Sequence, residues 1–177
     1  MHDIFINTVL SLKDNPAIDQ VVVQGFLNRI KADTRLTRDE GVADHLCSFL
    51  IPVNKASRRI YIGNHIKAAM WIPPGGHIDK GELPLQAVRR EFAEELSHTL
   101  TDEKIELFDI SIIEIENKSL PCTFHYDFWF LVHTPVIDFN VDLKEFREAG
   151  WYPAETAAKM VTRPAYQPRM ERLATSL

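Results

Sequence analysis

The segment from Pro84 to Leu96 has the pattern of a helix, and what it carries constrains everything around it. Proline at the first turn loses nothing, because its missing N–H would have no partner there. Leu85, Val88, Phe92 and Leu96 then recur at helical spacing and form one apolar stripe to anchor on a core. Beside the stripe, Glu91, Glu94 and Glu95 stand at i, i+3 and i+4, a spacing that predicts three carboxylates converging on one patch. Arg90 reaches Glu94 at i+4 and offsets part of the repulsion, but one guanidinium cannot neutralise three anions. Pro73-Pro74-Gly75-Gly76 leads in, where glycine permits a turn and close backbone approach.

A hard divalent cation can neutralise such a patch. Mg2+ or Mn2+ prefers oxygen ligands and keeps waters and substrate phosphates in its shell, so a solvent-facing carboxylate cluster suits it. Such an ion screens a diphosphate and polarises its oxygens, and a spare carboxylate can serve as general base. An acidic run on a helix is more commonly just a solvated face. The wider spacing decides against that: Gly76, Glu82, Arg90, Glu91, Glu94 and Glu95 fall in one fixed pattern, G-x5-E-x7-R-E-x2-E-E, with Phe92 next to the Arg-Glu pair. A chance match in a chain this short is on the order of 10⁻⁵.

This run, residues 76–98, resembles the box of the Nudix hydrolase family. The resemblance implies Glu94 and Glu95 as metal ligands, Glu91 as a further ligand or the base, and the Gly76 carbonyl as a backbone ligand. It implies Arg90 as an orienting partner of the glutamates and Glu82 as an acid that fixes the loop or stands behind the metal ligands, with Glu91, Arg90 and Glu82 forming the catalytic set. One departure stands at the end of the box, where Ser97 and His98 replace glycine and a bulky apolar residue. Serine in a left-handed helix cap costs on the order of 1 kcal/mol, or else the helix exits differently.

At 177 residues with 45% hydrophobic content, the chain is within the range of a single domain with a substantial core. No stretch approaches the ~20 apolar residues of a membrane span, and His2-Asp3 lacks the basic start of a signal peptide, so a cytoplasmic protein with no membrane partner is expected. A net charge of −5 offers no basic footprint for a long nucleic acid and favours a small anionic substrate arriving with its metal. Cys47 and Cys122 form no metal-binding spacing and read as buried thiols.

Residues 1–45 lie outside the resemblance and read as a helical extension to a domain at 46–177. One helix is expected at 3–13. A second is expected after Asn15-Pro16, with Ile18, Val21, Val22, Phe26 and Ile30 at helical spacing, and a third at 37–45. The extension either packs on the domain or contributes to a homodimer. From Leu46 the pattern turns to strands: 46–51 and 59–62 as a hairpin, 69–72, 104–116 and 122–133, with closing helices at 153–160 and 166–175. The resemblance, over about 46–160, implies an α/β/α sandwich with a mixed sheet.

Outside the box, alternation along Phe124-His125-Tyr126-Asp127-Phe128-Trp129-Phe130 puts His125, Asp127 and Trp129 on one face and four aromatic rings on the other. His125 and Asp127 are candidate substrate or outer metal groups, or part of a polar sheet face. Arg59 and Lys67, with Arg58 and His65, are candidate phosphate contacts or surface charges. Trp151-Tyr152-Pro153 resembles the segment opening the family's last helix, its aromatics packing groups or a stacking surface for a base; Glu145 and Glu148 precede it, where some members place a distal acid.

The activity implied is metal-dependent hydrolysis of the pyrophosphate link in a nucleoside diphosphate joined to a moiety X. The alternatives are a non-catalytic nucleotide sensor of the same fold, disfavoured by the complete set of glutamates, and an isopentenyl-diphosphate isomerase relative, for which neither cysteine sits in a recognisable motif.

Overall fold

Strand β1 (Asp44–Asn54) is the axis of the molecule, and nine of its residues in succession are buried. A continuous buried run of that kind, apolar apart from His45 and Ser48, belongs to a strand covered on both faces. In this computed structural model, which describes residues 2–116 and 121–177, β1 runs parallel to β6 (Phe124–His133) over ten paired residues, from Asp44↔Phe124 to Val53↔His133. Its far end pairs antiparallel with β2 (Arg59–His65), through Val53↔Ile60, across the expected turn. Its near end pairs antiparallel with β4 (Gly75–His77), the lead-in to the box. β3 (Met70–Ile72) and β7 (Phe146–Pro153) both join β2, and β5 (Ile105–Glu114) closes the other edge against β6. One parallel pair among antiparallel ones makes the sheet mixed.

Helices cover both faces. On one side lie α1 (His2–Leu10), α2 (Gln20–Ala32) and α3 (Pro84–Leu96), packed on Leu46, Leu50, Phe128 and Phe130. On the other lie α4 (Ala154–Met160) and α5 (Gln167–Ser176), packed on Phe49, Ile51, Val53 and Trp129. This is the expected α/β/α sandwich. The two core sets are the two alternating faces of β1 and β6, as the two-residue period of a strand requires.

The N-terminal helices belong to this core. Phe26 of α2 is fully buried and meets Tyr126 and Phe128 edge-on, ring centroids 5.2 Å apart in both cases. Gly25 lets α2 approach so closely that any Cβ there would collide with Ile112. Three local expectations change. Asn15-Pro16 does not start the second helix: the Asn15 side chain closes a turn onto the Ala17 N–H, and Asp19 caps α2 through the Val21 N–H at 2.8 Å. The third helix is only a 3₁₀ turn, Arg38–Glu40, because Gly41 takes a left-handed conformation and the chain enters β1 at Asp44. Residues 146–153 form β7, so Trp151 and Tyr152 end a strand and do not open a helix; Trp151 packs on Tyr61 and Phe139. Among the described residues, no helix is long and apolar enough to cross a membrane.

Candidate active site

The helix α3 begins at Pro84, as expected, and the Leu83 N–H donates to the Gln86 side chain at 2.8 Å, satisfying one orphan donor of its first turn. Ala87, Val88, Phe92 and Leu96 are fully buried, while Leu85 points outward, so Ala87 stands in the stripe where Leu85 was expected. At the other end Ser97 adopts φ 50° and ψ 36°, the left-handed cap usually given to glycine. The helix therefore exits as the family pattern requires, at a conformational cost of about 1 kcal/mol.

The carboxylates do not converge as the spacing predicted. No three of Glu82, Glu91, Glu94 and Glu95 bring ligand oxygens within 4.8 Å of one another. Arg90 divides them. Its Nε and Nη2 grip both oxygens of Glu82 at 3.0 and 2.9 Å, Nη1 reaches Glu91 at 2.8 Å and Glu94 at 3.2 Å, and Nη2 also donates to the His77 carbonyl at 2.8 Å. Burial alone would lower the guanidinium pKa, but the hydrogen bonds to Glu82 and Glu91 override it and hold the group above its ordinary value. Glu95 turns the other way and accepts the Gly75 N–H at 2.7 Å.

Burial separates the three acids of the box. Glu94 is exposed, whereas Glu91 and Glu95 are buried. Burial raises the Glu91 carboxyl against the opposing pull of Arg90. Glu95 is pushed up to about 9, first by burial and then by the charge of Glu91, with only the Gly75 N–H pulling back. The glycines make this closeness possible. Gly75 has φ 137°, where a side chain would strike the Ser48 carbonyl, and a Cβ on Gly76 would strike the Glu91 carboxylate.

These groups floor a cleft of about 1490 Å³ that runs from the box across the β1–β6 face to Tyr166. That exceeds the ~300–1,000 Å³ of a common small-molecule site and leaves room for an extended ligand. On one wall Glu145 meets Lys67 at 2.7 Å and His65 at 3.4 Å.

A family model for the NUDIX domain matches residues 48–173. The chain belongs to that family. No curated protein matches it by sequence. Among solved structures the Nudix chain is similar to the E. coli dihydroneopterin triphosphate pyrophosphohydrolase, with TM-score 0.66, 15% identity, and coverage of 75% of this chain and 96% of that one. A MutT protein from Methanosarcina mazei Go1 gives TM-score 0.61 at 19% identity, covering 75% and 94%. A C. elegans Ap4A hydrolase gives 0.58 at 20%, covering 73% and 96%. These likenesses concern the fold; the family makes the chain a pyrophosphohydrolase of the Nudix class. The helices α1 and α2 fall outside the matched span.

Nudix hydrolases generally use divalent metal ions, and the residues of the box fit one. The donors are hard carboxylate oxygens, and Glu95 is a buried acid with no cationic partner among the described residues, a state that a bound cation relieves.

Two weaker candidates stand elsewhere than expected. Arg59 lies at the outer end of β2, donates to the Trp151 carbonyl at 3.3 Å and does not line the cleft. Asp127 is fully buried because α5 covers the face expected to be open. It accepts from Ser111 at 3.0 Å, and Ser111 in turn accepts from the Trp129 indole at 2.8 Å. Lys67 and His125 do line the cleft.

One group escaped the sequence reading. His45, His77 and His125 meet edge-on or tilted at centroid separations of 4.8 to 5.1 Å. Burial, helped by the neighbouring rings, pushes His77 down to about 4 and His125 to about 3. The three come from three separate strands, and only the parallel register His45↔His125, with Cys47↔His77 beside it, unites them.

Proposed function

We propose that this Nudix enzyme hydrolyses the pyrophosphate bond of a nucleoside diphosphate linked to a second moiety, using Mg2+ or Mn2+. Glu94, Glu95 and the Gly76 carbonyl would hold the ion. When bound, it would neutralise the diphosphate and polarise the bond to be cut. The observation that carries this reading is Glu95: a carboxylate buried against Gly75 and raised by Glu91, which invites a cation where the substrate phosphates would lie.

The chain's own residues have separate tasks. Arg90 fixes Glu82 by a planar fork and holds one oxygen of Glu91 with its third nitrogen, so both acids keep one orientation beside the cleft. Glu91 keeps one oxygen on Arg90 and leaves the other to take the proton of the attacking water, and burial raises its basicity above that of an ordinary glutamate. Lys67 faces the diphosphate from the cleft wall, and Glu145 positions it. The helical extension at 1–45 shares the core of the domain at 46–177, supports its sheet and reaches the cleft through Arg38.

Product analysis by chromatography tests this over nucleoside triphosphates, dinucleoside polyphosphates, nucleotide sugars, ADP-ribose, NADH and coenzyme A. Cleavage of one class that needs Mg2+ or Mn2+ and is lost in Glu95→Gln supports it. Absence of product throughout, with thermal stabilisation by a nucleotide, would move the protein to the non-catalytic class.

A further inference from the structure

The three histidines already noted have a feature that packing does not explain. The Nε2 atoms of His45, His77 and His125 are all buried and none has a hydrogen-bond partner. On His45 the Nδ1 atom faces the Val42 carbonyl at 3.1 Å, so Nδ1 carries the proton and Nε2 is a bare lone pair. Buried polar atoms left unpaired cost about 1–3 kcal/mol each, and native proteins rarely keep several at one point. Cys122, also buried, brings its Sγ to the same place: one ligand atom from each of the four residues lies within 4.8 Å of the others.

We propose that His45, His77, His125 and Cys122 form a tetrahedral site for Zn2+, separate from the carboxylates of the box. Three imidazole nitrogens and a thiolate are the donors that select zinc over Mg2+ or Mn2+, which prefer oxygen. Bond lengths of about 2.0–2.1 Å to nitrogen and 2.3 Å to sulfur require ligand atoms about 3.4–3.7 Å apart. The site is thus within about 1.5 Å of closure. The Val42 carbonyl acts on His45 as such outer partners do, fixing the tautomer that leaves Nε2 for the metal. Arg38 also lines the cleft, and the Cys122 thiolate offsets its charge.

The ligands come from β1, β4, β6 and the segment before β6. His77 is shared between two functions, since its ring would bind zinc while its carbonyl holds Arg90. Zinc here would clamp the lead-in to the box, fixing Gly75 and Gly76 against β1 at the wall of the cleft.

Elemental analysis of the full-length protein and Co2+ substitution test the site. The expected result is one zinc per chain, replaceable by Co2+ with intense tetrahedral d–d absorption and a thiolate-to-cobalt band, unaffected by excess Mg2+. Cys122→Ser should lose the thiolate band. His125→Asn should weaken Co2+ binding by about 100-fold or more. Glu95→Gln, which strikes only the box, should retain the full spectrum. Because Cys47, His125 and Asp127 also come within 4.8 Å of one another, Cys47→Ser is the control and should keep the band. Weak octahedral absorption would overturn the proposal. So would a spectrum lost in Glu95→Gln but kept in His125→Asn, a band lost in Cys47→Ser but not in Cys122→Ser, or no Co2+ or Zn2+ binding at all.

Discussion

Removing the charge of Glu95 should stabilise the metal-free protein, although Glu95 belongs to the catalytic box. Its carboxyl titrates at about 9 in the folded chain against 4.5 for an ordinary glutamate. An acid whose pKa rises on folding holds its proton more tightly in the native state, so stability is lost as pH climbs from the unfolded value to the folded one. The loss is about 1.4 kcal/mol per pH unit in that window, so taking up the proton on folding costs about 3 kcal/mol at pH 7 and under about 1 kcal/mol at pH 5. Glu95→Gln keeps an oxygen for the Gly75 N–H, and its unpartnered amide N–H gives back about 1 kcal/mol. The variant should therefore gain about 2 kcal/mol at pH 7 in a chelating buffer and little or nothing at pH 5. Urea unfolding at pH 5, 6, 7 and 8 measures this directly. Stability curves of wild type and variant that run parallel across that range would refute the assignment of Glu95 as a strained, uncompensated acid.

Ser97→Gly should raise stability by about 0.5–1 kcal/mol in thermal or urea unfolding, because relief of the left-handed serine exceeds the extra backbone entropy of glycine. Arg90→Lys keeps the charge but not the fork that holds Glu82 and Glu91, so turnover should fall about 100-fold in steady-state assays with the fold intact by circular dichroism. Phe26→Ala should cost about 3–5 kcal/mol of unfolding free energy, as expected for an aromatic ring removed from a packed core, even though it lies outside the span matched by the family.

The box was legible because its signal is local: one helix, its proline start and its acids all lie within residues 76–98. Strand alternation also read correctly along β6, where His125, Asp127 and Trp129 do share a face. What failed was what covers that face. Nothing near Asp127 announces that α5, some 40 residues on, lies over it and turns an apparent surface into core. Arg59 failed for a similar reason, since proximity to the box in sequence does not survive the β2–β7 pairing that carries it away. β7 itself was hidden because Pro153 reads as a helix start, whereas it both ends the strand and caps α4. The three-histidine cluster depends on strand register, and a period-two pattern fixes faces without naming neighbours.

The long parallel pairing at the centre also sets an order of events. Asp44 meets Phe124 eighty residues downstream, and Phe26 finds its aromatic partners about a hundred residues later. A chain emerging from the ribosome therefore exposes the apolar faces of α1 and α2, and a nearly complete apolar β1, long before β6 exists to receive them. Contacts of such sequence separation make for slow folding. The expectation is that pulse-labelled hydrogen exchange finds the β1–β6 amides among the last to be protected, and early protection there would show a different route. The strand that centres the native sheet is then also the segment that most needs shielding while the protein is being made.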